Sequence, residues 1–489
     1  MKRFLWLLAL LALVAGAQES PAPANPIEER LQVAYEALEK GDYEQAIQLF
    51  EDVVAEDWRN YDAHFGLGLA YLRSGNLKEA WFEFKQLTKL YPERFEAWYN
   101  LGVTQAQMGD WQDAARSFER ALKVGETQKL PPETLRPAYL ALAEVYRKLE
   151  KPDRAAEVLK KAHRLMPDDE EITLLLADAL VASGRLEDAI PYLYDILAKD
   201  RGNVSATILL ADVLMQMELP DRALREIDRS LEAAKNPKDR ARLLYKKALI
   251  LAAADGADRR EIQRLMEEAL KLDPTLWQAH YDVGRIKLAI GDAQGALRSF
   301  LMAYRENPDD PRVLIGLAAA YDALGRASEA YRTAKLALAK AQGPDRLEAL
   351  FLLGKSAYFL GKYDEAVDAL RQVVEARKND ADAWYWLGLA YYARQDYGQA
   401  VLALERAAQL DNRIEVLEAL GAAYLASRRF ADAERVFSEI VQRDPRRASA
   451  WYHLGWALKA LGREAEAKRA WQKAYQLGYK PAQRQVGSP

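Results

Sequence analysis

The sequence predicts an all-α fold, a solenoid of stacked helical hairpins. Three observations predict it: a self-similarity of 34 residues, an apolar stripe of helical period inside each copy, and small residues at the fixed places where helix axes must meet. Tyr61 to Arg94 and Phe95 to Gln128 align without a gap over 34 residues each, placing Gly68 on Gly102, Gly75 on Gly109, Ala80 on Ala114 and Phe84 on Phe118. Self-similarity at such a period marks a repeat architecture rather than a set of unrelated domains.

Within one copy, His64, Leu67, Gly68 and Tyr71 are spaced three, one and three, the stripe of a first helix. Ser74-Gly75-Asn76 ends it, glycine accepting the left-handed backbone of a helix C-terminus. Leu77, Ala80, Phe84 and Leu87 resume the period as a second helix, which Pro92 terminates. Gly68, Gly102, Ala80 and Ala114 let the two axes approach, while Tyr71, Trp98 and Phe118 fill the space between them. A lone hairpin leaves its apolar faces wet, whereas stacked neighbours cover them.

The run Trp98-Tyr99-Asn100-Leu101-Gly102, followed by Gly109-Asp110-Trp111-Gln112-Asp113-Ala114, Phe118 and Ala121-Leu122, resembles the tetratricopeptide repeat. So do Trp384-Tyr385-Trp386-Leu387-Gly388 with Tyr391, Ala400 and Ala407, and Trp451, Leu454-Gly455, Gly462, Ala467 and Trp471. The resemblance implies a right-handed superhelix of about thirteen hairpins over residues 27–481, with a short tail at 482–489. The copy near residues 239–274 fits least well, because Asp255-Gly256-Ala257-Asp258 expands its turn. Breaks at 125–137, containing Pro131-Pro132, and at 235–239 are candidate hinges.

Lys2-Arg3, an apolar run from Phe4 to Val14, and Ala15-Gly16-Ala17 read as a cleavable secretory signal over residues 1–17. Eleven apolar residues make about 16 Å of helix, short of a hydrocarbon core of ~30 Å, so no transmembrane segment is expected after cleavage. Residues 18–26, with Ser20-Pro21-Ala22-Pro23, read as a flexible linker, and the mature protein as periplasmic or secreted.

There are no cysteines, which removes disulfides, thiolate metal sites and thiol nucleophiles together. With 69 basic against 73 acidic residues there is no cationic excess for phosphate, so nucleic acid is not an expected partner. His64, His163, His280 and His453 sit in different copies, with no second ligand at helical spacing, and no catalytic motif accompanies them. The chain is therefore expected to be no enzyme and to hold no metal or cofactor. Asn203-Val204-Ser205 matches a glycosylation sequon but falls at a junction between copies.

In the tetratricopeptide family the first helices line a concave groove that holds a protein or peptide segment. Carried onto this sequence, that geometry puts Phe65, Leu69, Tyr99, Val103, Leu140, Leu174 and Ile208 at the groove's early part. The C-terminal part is richer, with Phe351, Tyr358, Phe359, Tyr385, Tyr392, Tyr452 and Trp456 as aromatic anchors and Lys355 and Lys459 as charge complements. The same rings at helical spacing also suit packing between copies. The expected function is an exported scaffold or adaptor serving assembly, secretion or the cell wall. The alternatives are a self-associating spacer, that is a homo-oligomer, and a glycan-acting enzyme using Glu144, Asp178 and Asp212.

Overall fold

A computed structural model describes residues 26–254 and 258–486; the expected signal and nearly all of the expected linker lie outside them. The described chain divides between Asp239 and Arg240 into two compact units.

The first unit holds α1 (Pro26–Lys40), α2 (Tyr43–Glu56), α3 (Tyr61–Ser74), α4 (Leu77–Leu90), α5 (Phe95–Met108), α6 (Trp111–Thr127), α7 (Pro132–Lys148), α8 (Pro152–Leu165), α9 (Glu170–Ala182), α10 (Leu186–Lys199), α11 (Val204–Gln216) and α12 (Pro220–Ala233). The second holds α13 (Pro237–Ala252) from Arg240 onward, α14 (Arg259–Leu272), α15 (Trp277–Ala289), α16 (Ala293–Glu306), α17 (Pro311–Ala323), α18 (Ala327–Leu338), α19 (Gly343–Phe359), α20 (Tyr363–Ala376), α21 (Ala381–Ala393), α22 (Tyr397–Leu410), α23 (Ile414–Ala426), α24 (Phe430–Arg443), α25 (Ala448–Ala460) and α26 (Glu464–Gln476), then a 3-10 turn and the four-residue α27 (Gln483–Val486). These are thirteen successive helix–turn–helix repeats, the all-α solenoid expected of the sequence.

Every hairpin whose turn lies wholly within the described residues turns through one left-handed residue. Gly75 takes φ +85° and its N–H reaches back to the Leu72 carbonyl, closing the last turn of α3. The place is kept even where glycine is not: Glu150, Glu218, Gln395 and Arg428 hold positive φ at the corresponding corners.

Phenylalanines of second helices lock the hairpins together. The Phe300 ring lies against Gly284 of its own hairpin and Gly316 of the next, where an added Cβ would sit 2.7 and 2.5 Å from ring carbons. Phe50, Phe84, Phe118, Phe300 and Phe437 are all fully buried, each worth roughly 2–3 kcal/mol of transfer free energy.

First helices approach the first helices of neighbouring hairpins, α1 to α3 and α5 to α7 in the first unit and α15 through α25 in the second. They crowd along one side of each stack, which puts residues of successive first helices within reach of one another.

The break expected at 125–137 is much shorter than that span. α6 runs through Thr127, Pro137 lies inside α7, and the Leu130 N–H bonds to the Gly125 carbonyl at 2.9 Å. Gly125 is a contact glycine here, since a Cβ on it would meet the Leu135 side chain. The sequon asparagine is a helix cap: Asn203 Oδ1 accepts from the Ala206 N–H at 3.0 Å.

Candidate binding face

A group of aromatic side chains, of which Phe359 and Tyr392 are exposed, lies on the first helices α19 and α21. Phe351, Lys355, Tyr358 and Phe359 follow one another at helical spacing along α19, so they share a face. Trp386 of the next first helix packs edge-on to Tyr358 at 5.6 Å, Phe359 at 5.3 Å and Tyr385 at 5.4 Å between ring centroids. Phe359 is nevertheless 57% exposed.

Electrostatics ties this face together. Lys355 Nζ donates to Asp322 Oδ2 of α17 at 2.8 Å and stands 5.0 Å from the Trp386 centroid, so three successive first helices are joined through one ammonium. The expected charge complement is thus already bound within the chain, and Lys355 acts as a brace rather than a free cation. Arg413, ion-paired with Asp382, lies 5.5 Å over the Tyr385 ring. Burial pushes the Tyr358, Tyr385 and Tyr392 hydroxyls above their ordinary pKa, so all three remain neutral hydrogen-bonding groups at neutral pH. Tyr392 is 37% exposed and meets Tyr397 across the hairpin turn.

A second cluster gathers in the last hairpin, and its contacts are those of packing. Trp471 donates Nε1–H to the Tyr452 carbonyl at 3.0 Å, and Trp456 meets Trp471 edge-on at 5.4 Å. Tyr452 also lies 5.0 Å from Tyr479, which follows α26. Lys459 Nζ caps the group at 5.4 Å from Trp456 and 5.8 Å from Trp471.

Other expected groove residues are placed differently. Tyr99 is 6% exposed, stacked on Phe95 at 5.9 Å and set against Phe118 at 5.7 Å, which makes it core. Val103 and Leu140 are buried as well. Phe65 is half-buried, stacked on Tyr61 at 5.7 Å and edge-on to Phe84 at 6.0 Å. Phe351 is half-buried against the core of its hairpin.

Trp386 carries the repeat resemblance but is not among the expected groove residues, although a signal was present. It occupies the place held by Asn100 in the earlier copy, where Asn100 Nδ2 donates to the Glu96 carbonyl of its own helix at 2.9 Å. A tryptophan at that place has to lie elsewhere, and it reaches α19.

A tie between repeats explains three tryptophans and two histidines together. Trp98, Trp384 and Trp451 each donate Nε1–H to the carbonyl six residues earlier, at 2.9 to 3.0 Å. His64 and His280 occupy the same place and bond through Nε2 to the Trp58 and Pro274 carbonyls at 3.0 and 2.9 Å. These histidines therefore stand in for tryptophan as donors on the preceding turn.

Of the acids weighed for catalysis, Glu144 accepts two hydrogen bonds from Arg147. Burial raises the Asp178 pKa, with Arg147 opposing. Among the described residues no three His, Cys, Asp or Glu side chains are grouped to hold a metal ion, and no helix is long and apolar enough to cross a membrane.

Among known proteins, bovine BBSome complex member BBS4 is 26% identical over 198 residues, 40% of this chain and 37% of that protein. Cellulose synthase operon protein C of Pseudomonas fluorescens is 25% identical over 385 residues, 75% of this chain but 30% of that one. The chain thus spans between about 30% and 37% of the length of these two relatives. The APC/C hetero-tetramer Cut9-Hcn1 crystal structure aligns over 95% of this chain and 97% of that one, at 16% identity and a TM-score of 0.42. Family models described as tetratricopeptide repeat match residues 37–101, 146–193, 180–250 and 288–350, residues 93–168, and residues 351–413 and 418–483. With the hairpin geometry above, these matches show that the chain belongs to the tetratricopeptide-repeat family.

Proposed function

We propose that the protein is an exported scaffold that holds a segment of a partner protein against the aromatic face of α19 and α21, and that it catalyses nothing. The observation that carries this reading is Phe359, 57% exposed while its neighbours Tyr358 and Trp386 fix its position. Rigid, partly wet rings held by packing lose little entropy on binding, which suits them as anchors for an extended or helical peptide.

Export is supported by the order of Lys2-Arg3, the apolar run Phe4 to Val14 and Ala15-Gly16-Ala17. The relative matched over three quarters of this chain bears the name cellulose synthase operon protein C, which supports a partner belonging to a polysaccharide-producing assembly.

The test is affinity recovery from cells of proteins bound to the wild type, to Phe359→Ala with Trp386→Ala, and to Leu402→Ala on the second helix α22, where Leu402 is 59% exposed. A partner lost from the double variant alone supports the reading. A partner retained by all three places binding elsewhere.

A further inference from the structure

The first unit carries a second surface of a different kind, on its second helices. Lys85 and Lys89 stand four residues apart on α4, and Arg116, Arg120 and Lys123 follow at helical spacing on α6. All five are exposed. Between the two helices runs a trough of about 390 Å³ lined by Trp81, Lys85 and Lys89 of α4, by Trp98 and Gln105 of α5, and by Arg116 of α6. It adjoins a further hollow of about 300 Å³ lined by Pro92, Arg120 and Lys123. Trp98 connects the two, since its indole N–H bonds to the Pro92 carbonyl while Arg120 lies 5.8 Å over its ring.

Charge here is out of balance. On several other second helices and their turns an arginine is paired locally, as in Arg185 with Asp188, Arg326 with Glu329 and Arg463 with Glu466. Along the trough only Arg116 has such a partner, Asp113. Lys85, Lys89, Arg120 and Lys123 form no ion pair, and Glu93 is the one other carboxylate lining either hollow. Lys85 instead sits 4.0 Å over the Trp81 ring. A chain with net charge −4 has thus concentrated unpaired cations around two half-buried indoles.

We propose that this trough docks an extended acidic segment of a partner protein. Its Asp and Glu side chains pair with Lys85, Lys89, Arg120 and Lys123, while an apolar side chain between them settles against the Trp81 and Trp98 rings. Half-buried indoles at the foot of a trough are reached by a narrow segment carrying side chains and not by a flat lipid surface, and four unpaired cations are few for nucleic acid in a net-negative chain. This surface is independent of the α19 and α21 face.

The test uses the full chain and a fluorescent synthetic peptide of glutamates and aspartates around a single phenylalanine, with the glutamine and asparagine version as comparison. Anisotropy is expected to show binding of the acidic peptide alone, and binding that weakens steeply with salt. Lys85→Gln with Arg120→Gln should weaken it about tenfold, as expected for losing two charge pairs around a desolvated ring. Lys89→Glu with Lys123→Glu is a second, independent disruption, and exposed Lys161→Gln on α8 is the control. All these sites are exposed, so the variants should keep the wild-type melting transition. Equal binding of both peptides, an equal loss in the control, or retention on phosphatidylglycerol vesicles through the same residues without peptide binding would each overturn the proposal.

Discussion

His64 and Glu83 form a buried ion pair across the third and fourth helices, with Nδ1 2.5 Å from Oε2 and both residues less than a tenth exposed. The other ring nitrogen donates to the Trp58 carbonyl, which has no proton of its own to give. Below its folded-state pKa the ring donates from both nitrogens, Nδ1–H to the Glu83 carboxylate and Nε2–H to the Trp58 carbonyl. Burial on its own would lower its pKa, but the hydrogen bonds to Glu83 and to the Trp58 carbonyl outweigh that and leave it raised above 6.5.

A raised folded-state pKa means the pair's contribution is fully present below about pH 6.5 and is lost as pH climbs through the folded value. Removing one partner of a buried pair strands the other charge, so Glu83→Gln should cost roughly 3 kcal/mol at pH 6. Denaturant melts of wild type and variant at pH 6 and pH 9 check this, and the gap between them should narrow at the higher pH. His453 should behave in the opposite sense. Burial lowers its pKa, so its contribution weakens as pH falls below about 6.5.

The left-handed corners give a second prediction. Gln395 at φ 67° and Glu218 at φ 60° hold a conformation that costs a side-chain-bearing residue about 1 kcal/mol, while Gly75 holds it freely. Gln395→Gly and Glu218→Gly should each therefore stabilise the chain by a few tenths to about 1 kcal/mol, the gain being offset in part by the freer unfolded chain. The same change at Gln372, inside α20, should destabilise by about 1 kcal/mol. Chemical melts of the three variants separate the cases.

The tie from the first helix to the preceding turn is testable by removing only its donor. Trp98→Phe keeps a ring and loses the 2.9 Å bond to the Pro92 carbonyl, which should cost about 1 to 2 kcal/mol. Trp98→His, which restores a donor as His280 supplies one to Pro274, should recover part of that loss. Equal melting of the Phe and His variants would contradict the shared role.

Hairpin boundaries were legible because each rests on local chemistry: Gly75 at a positive φ, Pro152 and Pro220 at the starts of second helices, and glycines facing phenylalanine rings. The binding face was legible only in part. Tyr99 and Tyr385 hold the same place in their repeats, yet Tyr99 is enclosed by Phe95 and Phe118 while Tyr385 meets Trp386 and Arg413 and stays partly open. The periodic pattern fixes which side of a helix a residue occupies, and neighbouring side chains fix whether it is covered. The brace of Lys355 to Asp322 joins residues 33 apart, close to one repeat, and a sequence read one copy at a time does not pair them.

The most direct test of the account is photo-crosslinking in the producing cell from a photoreactive residue at Phe359, with Leu402 as the control on the second helix. The account predicts a recurrent protein adduct from Phe359, its loss when Trp386→Ala is added, and none from Leu402. Adducts of equal yield from both positions, or a Phe359 adduct indifferent to Trp386, would contradict it.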